Sequence, residues 1–159
     1  MTWLDLLAVV LVVLVAFLEA KRGAVPAAIE LAVGLIGLGL AKTFAPMLGE
    51  GVVPFLALFL GAIVVAAVAG WLVDTYTKWD IGAYDSVAGG IVGAVTGLAL
   101  AHGAFHAALQ GGADIQGVAQ GSLLFGQVYE LQGLHALGDM LRNLGGGPSI
   151  VEEVRKQQQ

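Results

Sequence analysis

The sequence predicts an all-α integral membrane protein with about four transmembrane helices and a C-terminal amphipathic helix. Hydrophobic residues make up 58% of the 159 residues and charged residues only 12%, which is about half the charged fraction of a soluble domain. The mean hydropathy is +0.86. The few charges cluster, and the apolar runs between the clusters are long enough to cross the hydrocarbon core of a bilayer.

Four apolar runs are predicted to cross the membrane, within a transmembrane domain at residues 1–109. They are residues 3–20, 26–41, 52–73 and 86–109. At 1.5 Å per residue the first run reaches about 27 Å, which is enough for the hydrocarbon core. The chain opens on an acidic segment, with no basic region and no small-residue cleavage site. We therefore expect a retained helix rather than a signal peptide.

Proline, glycine and charged residues predict where the helices begin and end. Gly23 and Pro26 mark the first turn, and Pro26 suits a first helical turn because its missing N–H is not needed there. A second loop is predicted to begin at Lys42 and to include Pro46. Asp85 precedes the fourth apolar run, so it is predicted to be the N-cap of that helix.

The remainder of the chain is less apolar and divides into two parts. Residues 110–147 carry leucines and other apolar residues at three- and four-residue steps, which predicts an amphipathic helix lying on the membrane or against the bundle. A glycine-proline run ends this segment. Residues 148–159 form a short polar tail.

Small residues form a stripe along each of the last two spans. In the fourth span they are four residues apart: Gly89, Gly93, Gly97 and Ala101. The third span has a matching stripe at Ala62, Ala66 and Gly70. Such stripes allow close approach of another helix in lipid. They predict either packing within one bundle or self-association around a shared axis, with the glycine-rich helices as a pore wall.

Two histidines, His102 and His106, lie four residues apart on the fourth span. Imidazoles at this spacing can share a metal ion, but a site needs a third ligand, which only His135 or a distant carboxylate would supply. We therefore predict no metal site and keep the pair as weak candidates. The alternative is a polar helix face that contacts water or the amphipathic helix.

The charged residues of the first two spans lie near the predicted interfaces. Asp5 lies just inside an apolar helix, where charge is costly. It is interpreted as a first-turn acid favoured by the helix dipole, or as the partner of a cation or hydroxyl on a neighbouring span. At the opposite interface, the charges are expected to compensate each other. They are Glu19, Lys21, Arg22 and Glu30.

Several function classes are disfavoured by composition and motifs. The net charge of −5 argues against nucleic acid, which requires clustered basic residues. The absence of cysteine excludes a disulfide framework and a thiolate metal site. There is no nucleophile elbow, H-E-x-x-H or phosphate-binding loop. We expect no enzyme activity and no cofactor; the expected partners are the lipid bilayer and a second copy or another membrane protein.

The order of short motifs resembles the colicin V production (CvpA-like) family of bacterial membrane proteins. Three pieces carry the resemblance: the opening Trp3-Leu4-Asp5, the step Arg22-Gly23 followed by Glu30, and the run from Tyr84-Asp85 into the glycine ladder. The segment that contains Ser122 is similar to the serine-containing segment after the family's last span. Ser86 departs from the pattern, because a basic residue is expected there.

The resemblance implies a small, multi-pass protein of the bacterial cytoplasmic (inner) membrane. It would support bacteriocin or toxin secretion, or envelope homeostasis, through assembly with itself or with partners. Two alternatives remain from the sequence. One is a homo-oligomeric channel or transporter lined by the glycine-rich fourth span, and the other is a membrane anchor or assembly factor for another protein.

Overall fold

The computed structural model describes residues 2–77, 82, 84–111, 121, 122, 124 and 128. This part of the chain contains four helices: α1 (Trp3–Arg22), α2 (Ala24–Leu48), α3 (Val52–Thr77) and α4 (Asp85–Gln110). All four are long and apolar enough to cross a membrane. The protein is therefore an all-α, multi-pass membrane protein, as predicted. The predicted amphipathic segment at residues 110–147 and the tail lie outside the described residues, except for residues 110, 111, 121, 122, 124 and 128.

The four helices pack in an order that differs from their order along the chain. α1 packs chiefly on α4, α4 also packs on α2, and α2 packs chiefly on α3. Because the helices run up and down through the bundle, the bundle has two ends. We call the end that holds Gly23 and Asp85 the first-turn end, and the end that holds Trp3 and Leu48 the N-terminal end.

The connections between the first three helices are shorter than the sequence predicted. Gly23 alone separates α1 from α2, and Pro26 lies in the first turn of α2 as expected. The prediction that Lys42 and Pro46 belong to a loop was wrong, because both lie inside α2. Pro46 removes a backbone hydrogen bond only in the last turn, where the helix is about to end.

Two hydrophobic clusters lie towards the N-terminal end of the bundle. One joins α2, α3 and α4 through Leu38, Ala41, Ala45, Phe55, Phe59 and Ala107. The other joins α1, α4 and one residue beyond α4 through Leu4, Ala8, Ala101, Phe105 and Val128. The stacked rings of Phe55 and Phe59 have centroids 5.6 Å apart. Large apolar side chains elsewhere on the helices are exposed, as expected for surfaces that face lipid.

Candidate functional site

The glycine stripe of α4 packs against α1. A Cβ atom added to Gly97 would lie 2.6 Å from Cα of Val12, and one added to Gly93 would lie 2.8 Å from the carbonyl oxygen of Val15. Only a residue without a side chain fits against backbone at these distances. The whole predicted stripe is buried: Gly89, Gly93, Gly97 and Ala101. The face of α4 that the sequence offered as a pore wall is thus covered by α1.

The small-residue stripe of α3 packs against α2, rather than against α4. A Cβ atom on Gly37 would overlap Ala62, and one on Gly34 would meet Ala66 at 3.9 Å. Gly70, the third member of the stripe, lies against the side chain of Glu30. The two stripes that looked alike in the sequence therefore hold two different helix pairs together.

Three charged side chains meet near the first-turn end, and we call Glu19, Arg22 and Glu30 the ionic cluster. Nη1 of Arg22 donates to Oε1 of Glu19 at 2.9 Å and to Oε2 of Glu30 at 2.7 Å. Gly70 covers the cluster, since a Cβ there would lie 2.8 Å from Oε2 of Glu30. Of the charges expected to compensate each other, Arg22 pairs with both glutamates, so one acid is in excess, whereas the amine of Lys21 lies over the ring of Phe17.

Asp85 does not act as predicted. Tyr84 is the N-cap of α4, without a side-chain capping bond, and Asp85 is the first residue of that helix. Its carboxylate instead accepts a hydrogen bond from the backbone N–H of Ala24 at 3.0 Å. Ala24 begins α2, whose N-cap Gly23 has no side chain to offer. The first N–H groups of a helix lack intrahelical acceptors, so Asp85 caps the neighbouring helix.

Gly23 allows this contact. Its φ of +96° lies in the region that favours glycine, and a Cβ atom there would overlap the carboxylate of Asp85. The N–H of Gly23 also donates to the carbonyl of Glu19 at 2.9 Å. The Gly23 and Asp85 motifs, which are far apart in the sequence, therefore form one structural unit at the first-turn end.

Asp5 and Ser122 meet at the opposite end of the bundle. Asp5 is fully buried and forms a capping box with Thr2 at the start of α1. Its Oδ1 accepts hydrogen bonds from the Ser122 hydroxyl at 2.5 Å and from the backbone N–H of Leu124 at 3.1 Å. Asp5 is thus a first-turn acid that also binds a hydroxyl, although the hydroxyl comes from the segment after α4 instead of from a neighbouring span.

The two histidines of α4 have different partners. Nε2 of His102 lies 2.5 Å from Nζ of Lys42, and its Nδ1 lies 3.0 Å from the carbonyl oxygen of Val128. Nε2 of His106 lies 3.1 Å from Nε2 of Gln110. Among the residues that the structure describes, no three histidine, aspartate or glutamate side chains are grouped to hold a metal ion. The contact between His102 and Lys42 was not foreseen from the sequence.

A second feature that the sequence did not indicate is an open groove on the outer face of α2 and α3. It has a volume of about 550 Å³ and is lined mainly by aliphatic and small residues, including Gly37, Ala41, Ala57 and Gly61. We call it the α2–α3 groove. A Cβ atom added to Gly61 would meet no other atom within 4 Å, so this glycine is not needed for packing within the described chain.

Comparisons with known proteins identify no relative. No protein-family model, no curated protein and no solved structure matches the chain.

Proposed function

We propose that this chain is a small protein of the bacterial cytoplasmic membrane that acts by assembly, with a transmembrane helix of a second copy docking in the α2–α3 groove. The observation that carries the proposal is Gly61. It is an exposed glycine in an open groove lined by both small and large apolar residues, and no atom of the described residues lies within 4 Å of a Cβ added there. Small residues on such a face let two backbones approach closely, which is how helices associate in a bilayer.

The other small-residue stripes are not available for docking of a second copy. The glycines of α4 already contact the backbone of α1, and Ala62 already contacts Gly37 of α2. Association through the α4 stripe would require α1 to leave it, and a pore wall built from α4 would require the same displacement. Assembly through the α2–α3 groove leaves the four-helix fold unchanged.

The resemblance to the colicin V production family supports the biological setting of the proposal. It favours a role in secretion or envelope homeostasis, which an assembly protein without chemistry of its own would fill by holding partners together. A membrane partner occupying the same groove would make the chain an anchor or assembly factor, which is the related alternative.

The test is native mass spectrometry of the detergent-solubilised protein, with Gly61→Leu as the disrupting variant. Gly39→Leu is the matched control, because Gly39 is also an exposed helical glycine. Within the described part of the chain, no atom lies within 4 Å of a Cβ added to it, and it does not line the groove. We expect wild type and Gly39→Leu to form the same oligomer and Gly61→Leu to dissociate. A monomeric wild type, or equal association of both variants, would reject docking of a second copy in this groove.

A further inference from the structure

The ionic cluster contains more negative than positive charge. Two carboxylates, Glu19 and Glu30, share one guanidinium nitrogen of Arg22. The next charged group that acts on Arg22 is Asp74 of α3, which is also acidic. α4 contributes glycines beside Glu19 and the acid Asp85 near the turn. If all these acids are ionised, the cluster keeps an excess negative charge, which is costly inside a membrane protein.

One carboxylate oxygen of the cluster is buried without a hydrogen-bond partner. Glu19 is only 3% exposed, and within the described residues its Oε2 has no donor in reach. The other oxygen, Oε1, is the one bound by Arg22. Burying an anionic oxygen without a donor is costly, and such groups usually become neutral. Of the two glutamates that share Arg22, Glu19 is therefore the one on which a negative charge is more costly.

The surroundings of Glu19 prevent it from relieving this cost by turning towards water. α4 closes over it, because a Cβ atom on Gly93 would lie 2.8 Å from Cβ of Glu19. Glu30 differs, since with Thr96 it is one of the two polar residues that line an otherwise apolar cavity of about 40 Å³ between α2, α3 and α4. That volume is enough for a water molecule beside the Glu30 carboxylate. The cluster thus pairs a closed carboxyl group with one that faces a cavity.

We propose that the ionic cluster is a proton-binding site, with the proton carried on Oε2 of Glu19. Binding forms one O–H bond on the carboxylate, takes the proton from water through the Glu30 side, and leaves one carboxylate to balance one guanidinium. A metal ion fits less well, because it needs several oxygen ligands and Glu19 presents one. This inference is independent of assembly through the α2–α3 groove.

The test is infrared spectroscopy of the protein in lipid nanodiscs at neutral pH, which detects the C=O stretch of a protonated carboxyl group. In the difference between wild type and Glu19→Gln, we expect a carboxyl band that shifts in D₂O. Glu30→Gln should also lose the band, although Glu19 is still present, because one carboxylate then balances one guanidinium. Glu50→Gln, in the exposed loop after α2, is the control and should keep the band.

The behaviour of Glu30→Gln separates a proton site from a purely structural role and does not depend on whether Glu19→Gln folds. Retention of the band in either Glu19→Gln or Glu30→Gln, or its absence from wild type, would overturn the proposal. Loss of the band from wild type on addition of Na⁺ at constant pH would also overturn it, because the ligand would then be a metal cation. An unchanged band in Na⁺ supports the proton.

Discussion

The close approach of α4 to the backbone of α1 predicts that adding one methyl group at Gly97 destabilises the packing of these two helices. A Cβ there would lie 2.6 Å from Cα of Val12 and 3.0 Å from the carbonyl oxygen of Leu11. Carbon atoms pack at about 3.5–4.0 Å, so α1 has to move away by about 1 Å. Backbone atoms cannot turn aside as the end of a side chain can, and the shift spreads along the helix pair.

The magnitude follows from two opposing effects. Gly→Ala in a helix gains about 1 kcal/mol of intrinsic helix stability, whereas overpacking a well-packed contact costs about 1–3 kcal/mol. Gly39→Ala is the matched control, since no atom of the residues that the structure describes lies within 4 Å of its added Cβ. This variant therefore gains helix stability without the packing cost. The free energy of unfolding of Gly97→Ala is therefore expected to be about 1–3 kcal/mol below that of Gly39→Ala.

The measurement is equilibrium unfolding in mixed micelles with increasing dodecyl sulfate, followed by circular dichroism. Comparing two Gly→Ala variants cancels the helix-propensity gain and leaves the packing cost alone. If Gly97→Ala and Gly39→Ala unfold at the same dodecyl sulfate fraction, the close contact of α4 with α1 does not contribute to stability and the argument from the glycine stripe fails.

Two further predictions use the same unfolding assay. Gly23→Ala should lower the free energy of unfolding by at least about 1 kcal/mol more than Gly51→Ala does. Both glycines have φ near +95°, which costs other residues about 1–2 kcal/mol, but only Gly23 faces Asp85. Equal losses in the two variants would show that the contact with Asp85 does not require a glycine. Ser122→Ala should lower the free energy of unfolding by about 1.5 kcal/mol, the value of a hydrogen bond to a charged group, because the Ser122 hydroxyl donates to the carboxylate of Asp5. A variant as stable as wild type would contradict a stabilising role for this hydrogen bond.

The number and approximate position of the spans could be predicted because hydropathy is a local property of the chain. The predicted ends of the spans were less accurate where a residue type occurs both in loops and in helices. Lys42 was assigned to a loop because a lysine is costly in a membrane helix, but its amine meets His102 of α4, a contact 60 residues away that no local pattern displays. Pro46 is a helix breaker in water and lies in the last turn of α2.

The candidate sites depend on helix pairing, which the sequence did not define. Small-residue stripes on α3 and α4 suggested that these two helices match each other. The partner of the α4 stripe is α1, whose contribution is backbone beside Val12 and Val15, and α1 contains no glycine that would reveal it. For the same reason Asp85 was predicted to cap its own helix, although its carboxylate accepts a hydrogen bond from the start of α2.

The pairing of α1 with α4 has a consequence for how the chain is made. α1 leaves the ribosome before α4, yet the surface that shields Glu19 belongs to α4. The cap on Ala24 likewise comes from a residue 61 positions later, which at about 5–20 residues per second is a delay of several seconds. During that interval Glu19 has Arg22 of its own helix as a partner, but the face of α1 that α4 later covers is still open.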